Sequence, residues 1–194
     1  MIKIRKFNES KIKIADDSWE ANDSTWLHSS PSPITKIDWL YNVFEGVLFF
    51  STSPYSPGDI NYVYAIEAPD TDILEVFKIE KLDTRKNKEA DSLVKSYIRS
   101  LDLDENDEEL YDEVVELLSE SHEKYYKDFF EDYDVNDDWT FRSESIWRAQ
   151  AYQAKIVRAF GYIGALGEDE QGTVLAVDLV GREHLLLDVT DYYL

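Results

Sequence analysis

Three short segments of this 194-residue chain combine residue types that can do chemistry. The first is Trp26-Leu27-His28-Ser29-Ser30-Pro31, an imidazole at the end of an apolar run followed by two hydroxyls. Such groups can hydrogen-bond the hydroxyls of a ligand's sugar, with the imidazole donating. The second is Phe49-Phe50-Ser51-Thr52-Ser53-Pro54-Tyr55, where hydroxyls emerge from an aromatic strand. Hydroxyls there could hold a ribose, and rings such as Phe50 and Tyr55 could stack a flat heterocycle. The third is Gly167-Glu168-Asp169-Glu170-Gln171-Gly172, three carboxylates and an amide between two glycines. Clustered carboxylates stabilise a cationic transition state and can orient a weak nucleophile. Each segment also has a plain structural reading: a capping histidine, a strand end with turn-forming Ser and Pro, and an acidic hairpin turn.

Other chemistries leave no trace. There is no phosphate-binding loop, dinucleotide fingerprint or nucleophile elbow of the G-x-S-x-G type. Three isolated His and no Cys give no zinc spacing, so no metal site is expected.

The elements that must position these segments follow from periodicity. Val47 to Ser51 and Tyr62 to Glu67 are short β-branched or aromatic runs that read as strands. Ile73 to Ile79 reads as a third. Leu93, Val94, Tyr97, Ile98 and Leu101 recur at helical steps, as do Leu110, Val114, Leu117 and Leu118. A further helix is expected from about Glu144 to Phe160, with Trp147, Ala151, Ala154, Val157 and Phe160 on its apolar stripe and Gly161 as its cap. Strands near Thr173 to Val180 and His184 to Val189 close the chain. Strands, then helices, then strands predict an α+β fold, with no linker or repeat to divide it, so residues 1–194 are expected to form one domain.

Charge divides the chain unevenly. Forty-one acidic residues against 20 basic ones give a net charge of −21. That balance opposes direct binding of nucleic acid or anionic membrane. Residues 89–138 alone hold 19 acids and four bases, and are expected to be an acidic helical insertion with its carboxylates facing water. The start runs the other way: MIKIRKFNESKIKI alternates basic and apolar residues around Asn8-Glu9-Ser10 and predicts a basic hairpin within residues 1–20. The absence of Cys, of a leader's apolar region and of an apolar run of bilayer length points to a cytoplasmic protein.

In order, the three segments resemble the three motifs of ADP-ribosyltransferases, within the diphtheria-toxin-like superfamily. The chain is most similar to the NAD-dependent anti-CRISPR proteins that inactivate type I-F surveillance complexes. The resemblance lies in TWLHSSPSPITKI (25–37), FEGVLFFSTS (44–53) and IWRAQAYQAKIVRAFGYIGALGEDEQGTVLAVDLVGRE (146–183), about a third of the chain. It implies an ADP-ribosyltransferase-like split β-sheet holding NAD in a cleft, and mono-ADP-ribosylation of a target protein, here a basic, DNA-binding Cas subunit. It implies His28 on the adenosine ribose, with Ser29 and Ser30 beside it. Ser51 would support the nicotinamide ribose, with Phe50 and Tyr55 as its aromatic neighbours. One of Glu168, Asp169 and Glu170 would be the catalytic carboxylate. Ser29 stands where Gly often follows the His, and Glu168-x-Glu170 reads like the E-x-E of arginine-modifying members, which leaves the acceptor open. Two other functions fit the same sequence: an acidic, non-enzymatic DNA mimic, and an ADP-ribosylating toxin of a conflict system.

Overall fold

Runs of aromatic and β-branched residues form strands where the sequence places them, and the fold is α+β. The computed structural model describes residues 12–16, 18–37, 44–54, 60–169 and 172–194, with only the backbone of Asp169. Two four-stranded sheets result. In the first, β1 (Lys13–Ile14) lies parallel to β8 (Leu187–Asp188), which is followed by antiparallel β4 (Tyr62–Glu67) and β2 (Thr25–Ser30). In the second, β3 (Val47–Phe50), β7 (Gly172–Asp178) and β6 (Gly164–Asp169) are antiparallel, and β5 (Ile73–Glu75) runs parallel to β6 at the edge. The sheets meet through one bridge among the described residues. Leu27 and Ser51 exchange both backbone hydrogen bonds there, at 2.8 and 2.9 Å. Trp26, Tyr64 and Ile66 of the first sheet pack against Phe50, Leu175 and Val177 of the second, forming an apolar core between them.

The helices pack on the other face of the second sheet. They are α1 (Lys88–Ser100), α2 (Glu108–Leu117), α3 (Glu123–Asp132) and α4 (Trp139–Ala159), whereas a short α5 (Thr190–Tyr193) lies against β4 of the first sheet. Asn87 and Asp107 cap α1 and α2 through side-chain bonds to backbone N–H groups. Val94, Tyr97, Ile98, Val114, Leu118 and Phe130 share one core with Tyr152 and Ile156 of α4 and with Ala165 of β6. The acidic stretch is therefore built onto the sheet through α4 and β6, with its exposed carboxylates on the outer surface of α1 to α3. Small side chains let α4 approach closely: Ala151 and Ala154 lie against Val47 and Ala176. Gly164 has to be glycine, because a Cβ there would sit 2.6 Å from the Ala176 carbonyl oxygen.

Several expectations need correction. Ile73 to Ile79 is strand only to Glu75. From Val76 to Lys81 it is a 3₁₀ helix, whose three-residue period buries Val76 and Ile79 and leaves Phe77 exposed. His184 to Val189 is strand only at Leu187–Asp188, after a 3₁₀ turn at Glu183–Leu185. The last long helix begins at Trp139, five residues early, where Asp138 caps it. Trp147, expected on the buried stripe, is 47% exposed. Helix α3 was not expected at all. Gly161 does cap α4, at φ +93°, with the Gly161 N–H donating to Arg158 O and the Tyr162 N–H to Val157 O. The N-terminal hairpin lies outside the described residues except for its last arm, which pairs with β8.

Candidate functional site

The described parts of the three motif-bearing segments lie toward one end of the two sheets, that of the Leu27–Ser51 bridge. Strand β2 brings His28 to the position just beyond the Leu27–Ser51 bridge. Strand alternation turns its ring to the side of Trp26, toward the second sheet. There His28 Nδ1 lies 2.8 Å from the Phe49 carbonyl oxygen, and its ring centroid is 5.6 Å from that of Phe50. A carbonyl only accepts, so Nδ1 carries the proton. Burial pushes the His28 pKa below its usual value, against the opposing effect of the Phe49 bond. The neutral ring thus presents Nε2 as an acceptor, not the donor that the sequence suggested.

The second segment supplies Phe50, which is buried in the core between the sheets, and Ser51, where the chain leaves β7 for the bridge. Ser51 Oγ donates to Ser53 O. The third segment is the β6–β7 hairpin. Its register pairs Leu166 with Leu175, which in turn pairs with Phe50. Two residues further toward the bridge end, Glu168 stands opposite Thr173, exposed. Alternation puts Glu168 on the face of Leu166, which packs against the same core as Trp26 and Phe50. His28 and Glu168 are thus carried on facing surfaces of the two sheets. Asp169 ends β6 opposite Gly172. Tyr55 and Glu170 lie outside the described residues.

The remaining expected residues are placed differently. Ser29 faces away from His28, across from Val63, and its Oγ is buried with no partner among the described residues. Ser30 Oγ donates to Ser32 O at 2.6 Å, closing a local turn. Tyr64, directly opposite His28 on β4, accepts the Ile34 N–H at 2.8 Å and so ties down the segment after β2.

Sequence reasoning missed a recess on the α4 face of the second sheet. It lies between Phe49, the Glu120-Ser121 turn, Gln150 and the Gly167-Glu168 end of β6. Buried Gln153 shapes it: Nε2 donates to Leu118 O at 3.1 Å and Glu120 O at 2.9 Å. The Tyr126 hydroxyl adds a bond to Glu120 O at 3.2 Å. A glutamine on the buried face of an amphipathic helix was the available signal, since buried polar groups are normally paired. At the opposite end of the sheet, Lys155 pairs with Glu45, and Arg158 with Asp178 at 2.5 Å and Val180 O at 3.0 Å. These pairs brace β3 and β7 to α4, far along the strands from the convergent segments. Among the described residues, no group of three or more His, Cys, Asp or Glu could hold a metal, and no helix is long and apolar enough to cross a membrane.

No protein-family model matches the chain, and no curated protein does. Among solved structures, one likeness is to the crystal structure of an anti-CRISPR protein. It shows 21% identity over 79% of this chain and 88% of that one, with a TM-score of 0.44. A likeness this slight carries no argument about function.

Proposed function

We propose that this chain is a mono-ADP-ribosyltransferase, transferring ADP-ribose from NAD to a side chain of a target protein, in the role of an anti-CRISPR that inactivates a Cas DNA-recognition subunit. The observation that carries the reading is convergence. His28, Ser51 and Glu168 lie far apart in sequence, yet strand register carries all three toward the end of the sheets marked by the Leu27–Ser51 bridge. The resemblance of their segments to the transferase motifs supplies the chemistry, and the split sheet supports it.

NAD is the substrate. The bond broken joins nicotinamide to the ribose C1′, and nicotinamide leaves with the bonding electrons. The bond formed joins the acceptor's heteroatom to C1′, and the acceptor's proton passes to a carboxylate or to water. Positive charge develops on the ribose during cleavage, as in glycoside hydrolysis. A carboxylate from Glu168, Asp169 or Glu170 would stabilise that charge, and a second would take the proton. His28, neutral and held by Phe49 O, would accept a ribose hydroxyl at Nε2. Ser51, at the bridge, would support the other ribose.

The DNA-mimic reading is favoured by a separate observation. Glu109, Glu116, Asp128 and Glu131 are all exposed on the helical block. One experiment separates the two. Target protein is incubated with NAD and either the parent or a variant lacking the 168–170 carboxylates, then weighed intact. The transferase reading expects an ADP-ribose adduct from the parent alone. Inhibition of the target with no adduct would overturn it in favour of the mimic.

A further inference from the structure

Helix α4 is longer than the sheet it packs on, and its free end continues the buried stripe into solvent. At 3.6 residues per turn, Trp139, Ser143, Ile146, Trp147, Gln150, Ala154 and Val157 fall within about 100° of arc on one side. Ala154 and Val157 of that stripe are buried against the sheet and the helical core. Ile146 and Gln150 border the recess beside Glu168. Beyond them the stripe is uncovered: Trp139 is 78% exposed and Trp147 47%. Trp147 extends sideways into Phe44 at 6.3 Å, and Phe44 meets Phe49 edge-on at 4.8 Å. Trp147, Phe44 and Phe49 thus form an aromatic run that reaches the recess, with Trp139 about two turns further out on the same stripe. Glu120 borders its inner end; at the outer end Asp137 pairs with Arg142 at 2.8 Å and the exposed Asp138 caps α4 through the Phe141 N–H. Contiguous aromatic surface rimmed by polar groups marks an interaction site more than scattered apolar residues do.

We propose that this overhanging face of α4 docks a segment of the target protein that carries an apolar anchor flanked by Lys or Arg. Charge selects this occupant. A chain of net charge −21 repels a second copy of itself, nucleic acid and anionic lipid. Tryptophan faces edged by carboxylates suit cationic side chains, which pair with the acids and lie over the rings. The face ends at the recess beside the Gly167-Glu168 end of β6, so a segment seated on it reaches the edge of the sheet that carries the acidic hairpin. The inference rests on the transferase reading for the purpose of docking, but the docking itself needs no NAD.

The test uses the full chain without NAD. Calorimetry measures binding of a synthetic Lys/Arg-rich peptide with one central Leu, and of its copy with Gly in place of Leu. The parent should bind the Leu peptide more tightly than the Gly copy. The Trp139→Ser, Trp147→Ser double variant should lose roughly tenfold or more of that affinity, as expected for aromatic hot spots. Equal affinity of parent and variant overturns the proposal, as does indifference to the Leu. Trp-dependent self-association in sedimentation also overturns it, by making a second copy the occupant. A fall in melting temperature of the isolated variant as large as that of the core variant Phe130→Ala overturns it too, since the face would then belong to the fold. NAD turnover by the parent is measured separately. Docking without turnover counts against the transferase reading alone, and turnover without docking against this one alone.

Discussion

The helical block and the split end of the sheets treat their polar groups in opposite ways. In the block, buried polar atoms are all engaged: the Tyr97 hydroxyl on Ser145 O, Tyr111 on Thr84, Tyr126 on Glu120 O, and Gln153 on the same turn. Among the described residues at the bridged end, His28 is bonded through Nδ1 alone, and on the opposite face of β2 Ser29 Oγ is buried without a partner. Leaving a buried polar group unmade costs roughly 1–3 kcal/mol, so a fold keeps such groups where a ligand completes them or where strain is tolerated. The contrast separates a fully bonded region from one that leaves polar groups open. The acidic block shares in the core through its buried side chains and keeps its carboxylates at the surface.

The largest effect should come from the carboxylates, and it should fall on one side of the comparison only. Glu168→Ala, Asp169→Ala and Glu170→Ala should leave the melting temperature nearly unchanged. At least one should lower transfer from labelled NAD by roughly 100- to 1000-fold, the usual loss for one well-placed electrostatic group. Full turnover in all three variants would show that the split end is not the reacting region.

On the supporting side, Gln153→Leu should cost roughly 1–3 kcal/mol of stability, because Leu118 O and Glu120 O would lose their donor inside the core. Chemical denaturation measures this. A neutral result would mean that water replaces the amide and that the turn is not held from α4.

The surface of the block should act more gently, and only on encounter. Reversing exposed Glu109, Glu116, Asp128 and Glu131 to Lys should slow target modification about tenfold at low salt, the lower end of electrostatic steering. NAD affinity should hold. The same slowing should follow when the parent is moved to physiological salt, where surface charges are screened beyond about 8–10 Å. Rates indifferent to both changes would reduce the acids to a solubility device.

How much of this was legible depended on which force fixed each element. The strands at Val47 and Tyr62 and the stripes of α1, α2 and α4 are decided by burial of one face, and periodicity reports burial. The 3₁₀ turn at Val76 hides behind an apolar run that a strand would share, since period three and period two differ by one residue over so short a stretch. Helix α3 follows His122, which gives it no side-chain cap, and its charged surface masks Tyr126, Phe129 and Phe130. At the site, His28, Ser51 and Glu168 were legible as residue types. That β2 and β3 share a bridge was not, because register between distant strands is settled by the core they enclose. The recess and Gln153 belong to tertiary packing alone.

The smallest effect sharpens the comparison at its finest point, the state of His28. Replacing it by Ala should weaken NAD binding by about 1 kcal/mol, one neutral hydrogen bond. Its titration gives a second reading. Burial holds the folded pKa below the unfolded value of about 6.5. Between those two values the unfolded chain binds the proton and the folded chain resists it. The stability contributed by the neutral ring is therefore complete above about pH 6.5 and is lost as pH falls through the folded pKa. His122 and His184 are common to the parent and a His28→Gln variant, as are all the carboxylates, so their contributions cancel in the difference. The melting temperature of the parent relative to His28→Gln should fall as pH drops from 7.5 to 5, by an amount that grows with the depth of the shift. Parallel curves would mean that the ring is solvated and charged like any surface histidine. The Phe49 bond would then be the only feature distinguishing the split end from an ordinary strand edge.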